Sequence, residues 1–189
     1  MRDEFPHGGA RPLAAVFFAL PNRRGERPLA HLAGFSGVPV ADGYAGFNGH
    51  YEKAQPGGPL TEAACWAHVR RKIFDVHAAT GSALAAEALA RIGALHGIER
   101  ELHGKPPDAH IRERQARAKP LATALKLWAE RSLTQLPGRS ELIKALRYML
   151  ARWSALTRAF DNGRITLDDT QPSKGTNNPC VQARTEAGP

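Results

Sequence analysis

Cysteine is scarce in this chain of 189 residues, which contains two, Cys65 and Cys180. They lie far apart in unlike surroundings, so they do not indicate a disulfide framework. Their scarcity is typical of a reducing compartment, and we therefore expect a cytoplasmic protein. No apolar run approaches the roughly 20 residues that a membrane-spanning helix needs. Residues 13–20 form a short apolar run followed by Pro-Asn-Arg-Arg, which favours a buried strand over a signal peptide.

Acidic residues are outnumbered by basic ones, with 18 Asp and Glu against 26 Lys and Arg, which gives a net charge of +8 and a pI near 10.0. A basic balance suits a polyanionic partner, although many solvated surfaces are basic without one. The hydrophobic fraction of 42% and the charged fraction of 23% are ordinary for a globular protein. The length allows one domain with an insertion.

The residue composition and the spacing of apolar residues change near residue 65. Residues 13–64 contain short apolar stretches broken by Gly and Pro, which predict strands and turns of a small sheet. Residues 65–160 carry Ala, Leu, Arg and Glu at helical spacing, which predicts helices at 62–78, 82–102, 107–136 and 139–160. Apolar stripes in the second and fourth helices indicate core faces. The stripes comprise Leu84, Leu89, Ile92, Leu95 and Ile98, and then Leu142, Ile143, Leu146, Met149, Leu150 and Trp153.

The most informative stretch runs from residue 38 to residue 72. A short apolar strand, residues 38–41, ends at Asp42 and is followed by a Gly-Tyr-Ala-Gly-Phe turn. Further along, Cys65 and His68 precede the basic cluster Arg70-Arg71-Lys72 at the start of a predicted helix. A carboxylate at a strand end beside a basic helix is what metal-dependent chemistry on a phosphate backbone requires.

Each of these features also has a plainer interpretation. An Asp before Gly often just opens a turn, so Asp42 alone does not identify an active site. The Cys65–His68 pair is half of a zinc site, and no second pair has suitable spacing. We expect Cys65 and Trp66 to be buried and His68 to line a cleft. The basic cluster could be a solvated helix face, as could a second basic run further along. That run consists of Arg112, Arg114, Arg117 and Lys119.

Several blocks of the sequence resemble one known family. The blocks ADGYAGFN, CWAHVRRK, ATGSALAAEALARIGALHGIE and ALRYMLARWSALTRAFDNGRITLDD resemble the catalytic region of the IS66-type bacterial transposases. The similarity runs in order from about residue 2 to residue 169. These transposases belong to the DDE group, and the resemblance implies an α/β fold. That fold is a partial ribonuclease-H-like sheet with a large helical insertion, mostly α-helical by residue count.

The resemblance also implies roles for individual residues. Asp42 corresponds to the second acidic residue of a metal-binding triad, and His68 belongs to a Cys-x-x-His signature near the active site. Arg70, Arg71 and Lys72 are expected to contact DNA. The implied cofactor is Mg²⁺, since three carboxylates converge on two cations about 3.5–4 Å apart in such sites. The implied partners are DNA at insertion-element ends, and intact transposase or a second copy of this chain.

The resemblance breaks down near the C-terminus. The family continues with a pattern like Asn-Asn-x-Ala-Glu-Arg, whose Glu is the third metal ligand, whereas residues 168–175 read DDTQPSKG. The first triad Asp is expected upstream of residue 2. One possible nucleotide sequence for TQPSKG, translated in a shifted reading frame, gives Pro-Ala-Glu-Gln-Gly. We therefore hypothesise a one-base deletion near codon 169. Residues 170–189 would then be a disordered, non-native tail.

These observations combine into one leading interpretation and two alternatives. The leading one is a catalytically inactive transposase fragment with a partial catalytic core at 1–78, a helical insertion at 79–160, a return toward the core at 161–169 and the tail. One alternative is a basic DNA-binding or regulatory fragment without catalysis. The other is a helical protein-interaction module without a nucleic-acid role.

Overall fold

The computed structural model describes residues 40–41, 61–136 and 140–168, and of residues 40–41 it describes the backbone only. Two short strands precede a series of helices in this part of the chain. The strands are β1 (Val40–Ala41) and β2 (Ala63–Ala64). The α-helices are α1 (Trp66–Thr80), α2 (Ala83–Leu102), α3 (Pro107–Glu113), α4 (Lys119–Gln135), α5 (Glu141–Ala151) and α6 (Trp153–Thr157).

The predicted fold class is wrong for the part of the chain that the structure describes. No ribonuclease-H-like sheet occurs there, because the strands amount to one parallel pair of two residues each, with Val40 opposite Ala63 and Ala41 opposite Ala64. The rest is helices and their connections. Ala, Leu, Arg and Glu, which dominate residues 65–160, are strong helix formers, and a two-residue pair lies below the usual length of a strand. The last two residues of the strand predicted at 38–41 form β1, and the predicted strands before it lie outside the described residues.

Helix α1 follows β2 directly and carries the first part of the core. Its buried side chains are Trp66, Val69 and Ile73, which lie on one face at helical spacing. The helix ends at Gly81, whose φ of 65° is in the left-handed region where glycine carries no steric cost. Ser82 then caps α2 by accepting a hydrogen bond from the amide of Ala85 at 3.3 Å. This punctuation was predicted from the sequence and is confirmed.

The third predicted helix is one continuous helical rod, but it is not α-helical throughout. A π-helical segment, Arg114–Ala118, lies between α3 and α4. Pro120 follows within the first turn of α4. A proline in a regular α-helix has no N–H to donate, and its ring clashes with the carbonyl four residues earlier. The wider π turn accommodates that missing bond before α-helical geometry resumes.

The fourth predicted helix is wrong in one respect, because it is broken near its middle. Arg152, with φ −106° and ψ 15°, separates α5 from α6, and a 3₁₀ turn (Arg158–Phe160) follows. The break turns Leu156 toward α1, where its carbonyl accepts a hydrogen bond from the buried Trp66 indole at 2.9 Å. The ring of Trp153 packs edge-on against Trp66 at 5.8 Å.

A single hydrophobic core joins these helices. Most of the predicted apolar stripes lie in it, which confirms them, with Leu84, Leu89, Leu150 and Trp153 packed at its edge. Residues 161–168, which follow the 3₁₀ turn and are called the returning segment, add Ile165 and Leu167 to this core. The carbonyl of Leu167 accepts a hydrogen bond from the amide of Trp66 at 3.0 Å. The returning chain is thereby attached to the start of α1. Within the described residues, no helix is both long enough and apolar enough to cross a membrane.

Candidate functional site

Two adjoining cavities open around the N-terminal half of α1. The first, called the α1 cavity, has a volume of about 570 Å³ and is lined by Ala67, Arg70, Arg71, Phe74, Asp75, His96 and Asp168. The second, called the α2 cavity, has a volume of about 680 Å³ and extends along α2 toward α3. They share Arg70, His96 and Asp168. These three residues therefore mark the centre of the candidate site.

The positive charges of the α1 cavity come from the exposed face of α1. Arg70 and Arg71 are both exposed, while Val69 and Ile73 beside them are buried. Phe74 follows one turn later and is 47% exposed, which is unusual for so large an apolar side chain. Two guanidinium groups and an aromatic ring thus share one cavity wall. Such a wall can contact phosphate through the arginines and an apolar or π-rich group through the ring.

The remaining predicted residues of this helix lie elsewhere. Lys72, the third member of the predicted basic cluster, places its ammonium 4.8 Å from the ring centroid of Tyr148 on α5. The ring of His68 lies 5.7 Å from the same tyrosine. Neither Lys72 nor His68 lines either of the two cavities. The structure therefore separates the predicted cluster, with Arg70 and Arg71 on the cavity side and Lys72 on the side of α5.

Asp168 enters the cavities from the returning segment. Its Oδ2 lies 3.1 Å from Nδ1 of His96, and the backbone amide of Ala67 also hydrogen-bonds its carboxylate at the start of α1. Burial raises the pKa of Asp168 above its usual value, while the nearby His96 and the Ala67 amide oppose that shift. Asp168 and His96 thus form a partly buried pair between α1 and α2. The contact of Asp168 with Nδ1 orients the imidazole ring of His96.

The second basic run is exposed at Arg112, Arg117 and Lys119 and buried at Arg114. Arg114 is fully buried and forms an ion pair with Glu99 at 2.7 Å. Arg117 pairs with Glu101 at 2.7 Å, and Lys119 lies 3.7 Å from Asp161. The interpretation of this run as a solvated face is therefore wrong for Arg114. Arg112 is exposed, as a solvated face requires.

Cys65 and Trp66 are buried, as predicted from the sequence. Among the described residues, no three His, Cys, Asp or Glu side chains are grouped so that they could hold a metal ion. Asp42, the predicted Mg²⁺ ligand, lies outside the described residues. The side chains at 61–136 and 140–168 therefore do not by themselves fit the implied metal site.

Sequence reasoning did not single out three members of this site, namely Phe74, His96 and Asp168. Phe74 was hidden because an aromatic residue on a helix is usually part of the core. A signal for Asp168 was present, since buried Ile165 and Leu167 alternate with polar residues and lead directly into it. His96 follows buried Leu95 within an apolar helix and gave no comparable signal.

Comparison with known proteins identifies relatives over nearly the whole chain. The family model described as Transposase IS66 family matches residues 2–171. Uncharacterized protein y4hP of Sinorhizobium fredii is 34% identical over 177 residues, covering 87% of this chain and 32% of its own length. Uncharacterized proteins y4qI and y4jD of the same organism are 34% and 32% identical, each covering 88% of this chain.

The relatives are much longer than this chain. The chain spans about a third of the length of the curated relatives that it matches, with 32%, 32% and 33% of their lengths covered. No solved structure matches the chain significantly.

Proposed function

This chain belongs to the IS66 family of transposases, and on that basis we propose that it forms part of a region that handles DNA. The observation that carries the proposal is the α1 cavity, where Arg70 and Arg71 are exposed side by side. Guanidinium groups bind phosphate oxygens with charge-assisted hydrogen bonds and suit a DNA backbone. The net charge of +8 favours the approach of a polyanion to this surface.

The finer chemistry belongs to the whole protein. We propose Asp42 as a Mg²⁺ ligand there, in strand cleavage and transfer, and the support for this role is the resemblance of its ADGYAGFN block. This chain carries no Glu at the position matching the third ligand. The polypeptide 1–189 should therefore not nick DNA with Mg²⁺ or Mn²⁺. Metal-dependent nicking that is lost in Asp42→Ala would contradict that expectation.

DNA binding by the polypeptide 1–189 tests the proposal directly. A fluorescently labelled duplex carrying an insertion-element end is titrated at several salt concentrations, and binding is followed by fluorescence anisotropy. Because each phosphate contact contributes roughly 0.9 to the slope of log affinity against log salt, Arg70→Ala/Arg71→Ala should reduce that slope by about 1.8. Lys72→Ala, measured separately, tests whether the lysine beside Tyr148 adds to the same surface.

A charge-matched control separates a local contact from a general effect of charge. Lys105 and Arg112 are also exposed and line neither cavity, so Lys105→Ala/Arg112→Ala removes the same charge elsewhere. We expect this control to keep most of the salt slope. Equal losses in the two double variants, or binding that does not change with salt, would count against a DNA surface at the α1 cavity.

A further inference from the structure

Phe74 is the feature of the site that phosphate contact does not explain. It is 47% exposed on α1, whose core face is already supplied by Trp66, Val69 and Ile73. The other large apolar side chains that the described residues expose are Leu121 and Leu127, and neither lines the α1 cavity or the α2 cavity. Phe74 thus combines exposure, aromatic character and a position in a charged cavity.

Helical spacing explains why the ring and the cations share one wall. Arg70 and Arg71 precede Phe74 by four and three residues, and residues at those separations are neighbours on a helix surface. The cavity that they line has a volume of about 570 Å³, which is within the usual range for sites that bind small molecules or single building blocks of polymers. The site is therefore large enough for one nucleotide.

We propose that the α1 cavity receives one unpaired nucleotide of a DNA strand, with its base stacked on Phe74 and its phosphate bound by Arg70 and Arg71. This inference rests on the proposed function and specifies which form of DNA the site binds. Aromatic side chains beside a basic groove stack on bases of any sequence, because every base has a π-face. In a paired duplex both faces of an internal base are already stacked on neighbouring bases. The ring of Phe74 can therefore stack only on a base that is unpaired.

The acidic residues of the cavity restrict how the nucleotide lies. Asp75 and Asp168 line the same cavity as the arginines. Carboxylates repel a phosphate but accept hydrogen bonds from the exocyclic amino groups of bases. The phosphate is therefore expected to bind Arg70 and Arg71, and an amino group of the base stacked on Phe74 can donate a hydrogen bond to one of the carboxylates.

The test compares two DNAs that differ in one unpaired segment. One is a fully paired duplex, and the other is the same duplex with a short single-stranded overhang containing 2-aminopurine, whose fluorescence is quenched by stacking. The polypeptide 1–189 is expected to bind the overhang DNA more tightly and to quench the probe. Phe74→Leu keeps an apolar side chain without a π-face, and should weaken overhang binding about 5- to 100-fold and abolish the quenching. Phe74→Tyr should restore both.

A control and three outcomes decide the question. Leu127→Ala removes another exposed apolar side chain, 53% exposed on α4, and should change neither measurement. In one outcome, the wild type and Phe74→Leu each bind the two DNAs with the same affinity, while Arg70→Ala/Arg71→Ala loses binding. That result would overturn the nucleotide site and leave the proposed function standing. Absence of any DNA binding would overturn both. If Phe74→Leu leaves DNA binding unchanged but alters the oligomeric state, Phe74 serves a protein interface and the proposal is wrong.

Discussion

Glu99 and Arg114 form a bidentate ion pair, with Nε and Nη2 of the arginine each 2.7 Å from a different carboxylate oxygen. The remaining terminal nitrogen of Arg114 donates to the carbonyls of Ala159 at 2.8 Å and Ile165 at 2.9 Å. One fully buried cation therefore connects α2, the π segment and the returning chain that delivers Asp168. A buried charge is tolerated when it is paired and hydrogen-bonded in this way.

Replacing Arg114 should therefore destabilise the fold strongly. Arg114→Met leaves the carboxylate of Glu99 and two buried carbonyls without their donor, and breaking a buried pair costs about 3–5 kcal/mol. Urea denaturation followed by circular dichroism at 222 nm measures the change. Arg117→Met, in the same π segment but with an exposed partner in Glu101, is the matched control and should leave the transition unchanged. Similar losses in both variants would show that Arg114 contributes no more than a surface residue.

The returning segment also approaches the start of α3 closely, at Gly163 and Pro107. A Cβ added there would lie 1.9 Å from the carbonyl oxygen of Pro107, which belongs to the backbone at the start of α3. Gly163→Ala must displace one of the two segments, and we expect a loss of about 1–3 kcal/mol in the free energy of unfolding. Gly93→Ala, in the middle of α2 with no atom within 4 Å of the added Cβ, should instead stabilise by about 0.5–1 kcal/mol. Thermal unfolding of the two variants should shift in opposite directions.

Helical periodicity predicted most of the architecture that the structure describes. Spacing placed α1, α2 and the α3–α4 rod within a few residues, and Gly81-Ser82 marked a true boundary. Helical periodicity did not predict β2, because Ala63 and Ala64 have low strand propensity. They form a strand by pairing with β1. The break at Arg152 was missed for a similar reason, since no Gly or Pro marks it. Tertiary contacts override local propensity at both positions.

The candidate site was predicted in part. Arg70 and Arg71 lie on a cavity wall, whereas Lys72 two positions on lies against Tyr148. A run of like charges in the sequence does not state which faces of a helix its members occupy. Arg114 was read as a surface cation because its partners lie 15 to 51 residues away in the chain. Burial of a charge depends on such distant partners, and a local window does not contain them.

The gene sequence tests the origin of the C-terminal segment. The family match ends at residue 171, close to the codon where we place a one-base deletion. The nucleotides across codons 170–175, read in the alternative frame, should encode a Pro-Ala-Glu-like peptide. A stop codon or unrelated residues in that frame would rule out the frameshift. Deletion of residues 170–189 should also leave the unfolding transition unchanged, because that segment is polar and rich in Pro and Gly.

The pH dependence of stability should report on His110, which is buried on α3 and lines the α2 cavity. Burial lowers the pKa of His110 below its ordinary value, and the nearby charge of Arg114 lowers it further. Between that lowered pKa and the unfolded value of about 6.5, the unfolded chain binds more protons than the folded one. Stability contributed at this position should therefore be complete above about pH 7 and decline as the pH falls through about 6.5.

The variant His110→Gln isolates this contribution, because glutamine keeps polar atoms but does not titrate. Free energies of unfolding are measured by urea denaturation at intervals from pH 5 to pH 8. The wild type should exceed the variant most at pH 8, and the difference should shrink toward pH 5, because His110 binds a proton there more readily in the unfolded chain than in the folded one. His103→Gln, at an exposed position lining the same cavity, is the matched control for replacing a histidine with glutamine. A difference for His110→Gln that stays constant from pH 5 to pH 8 would mean that His110 titrates alike in the folded and unfolded chains.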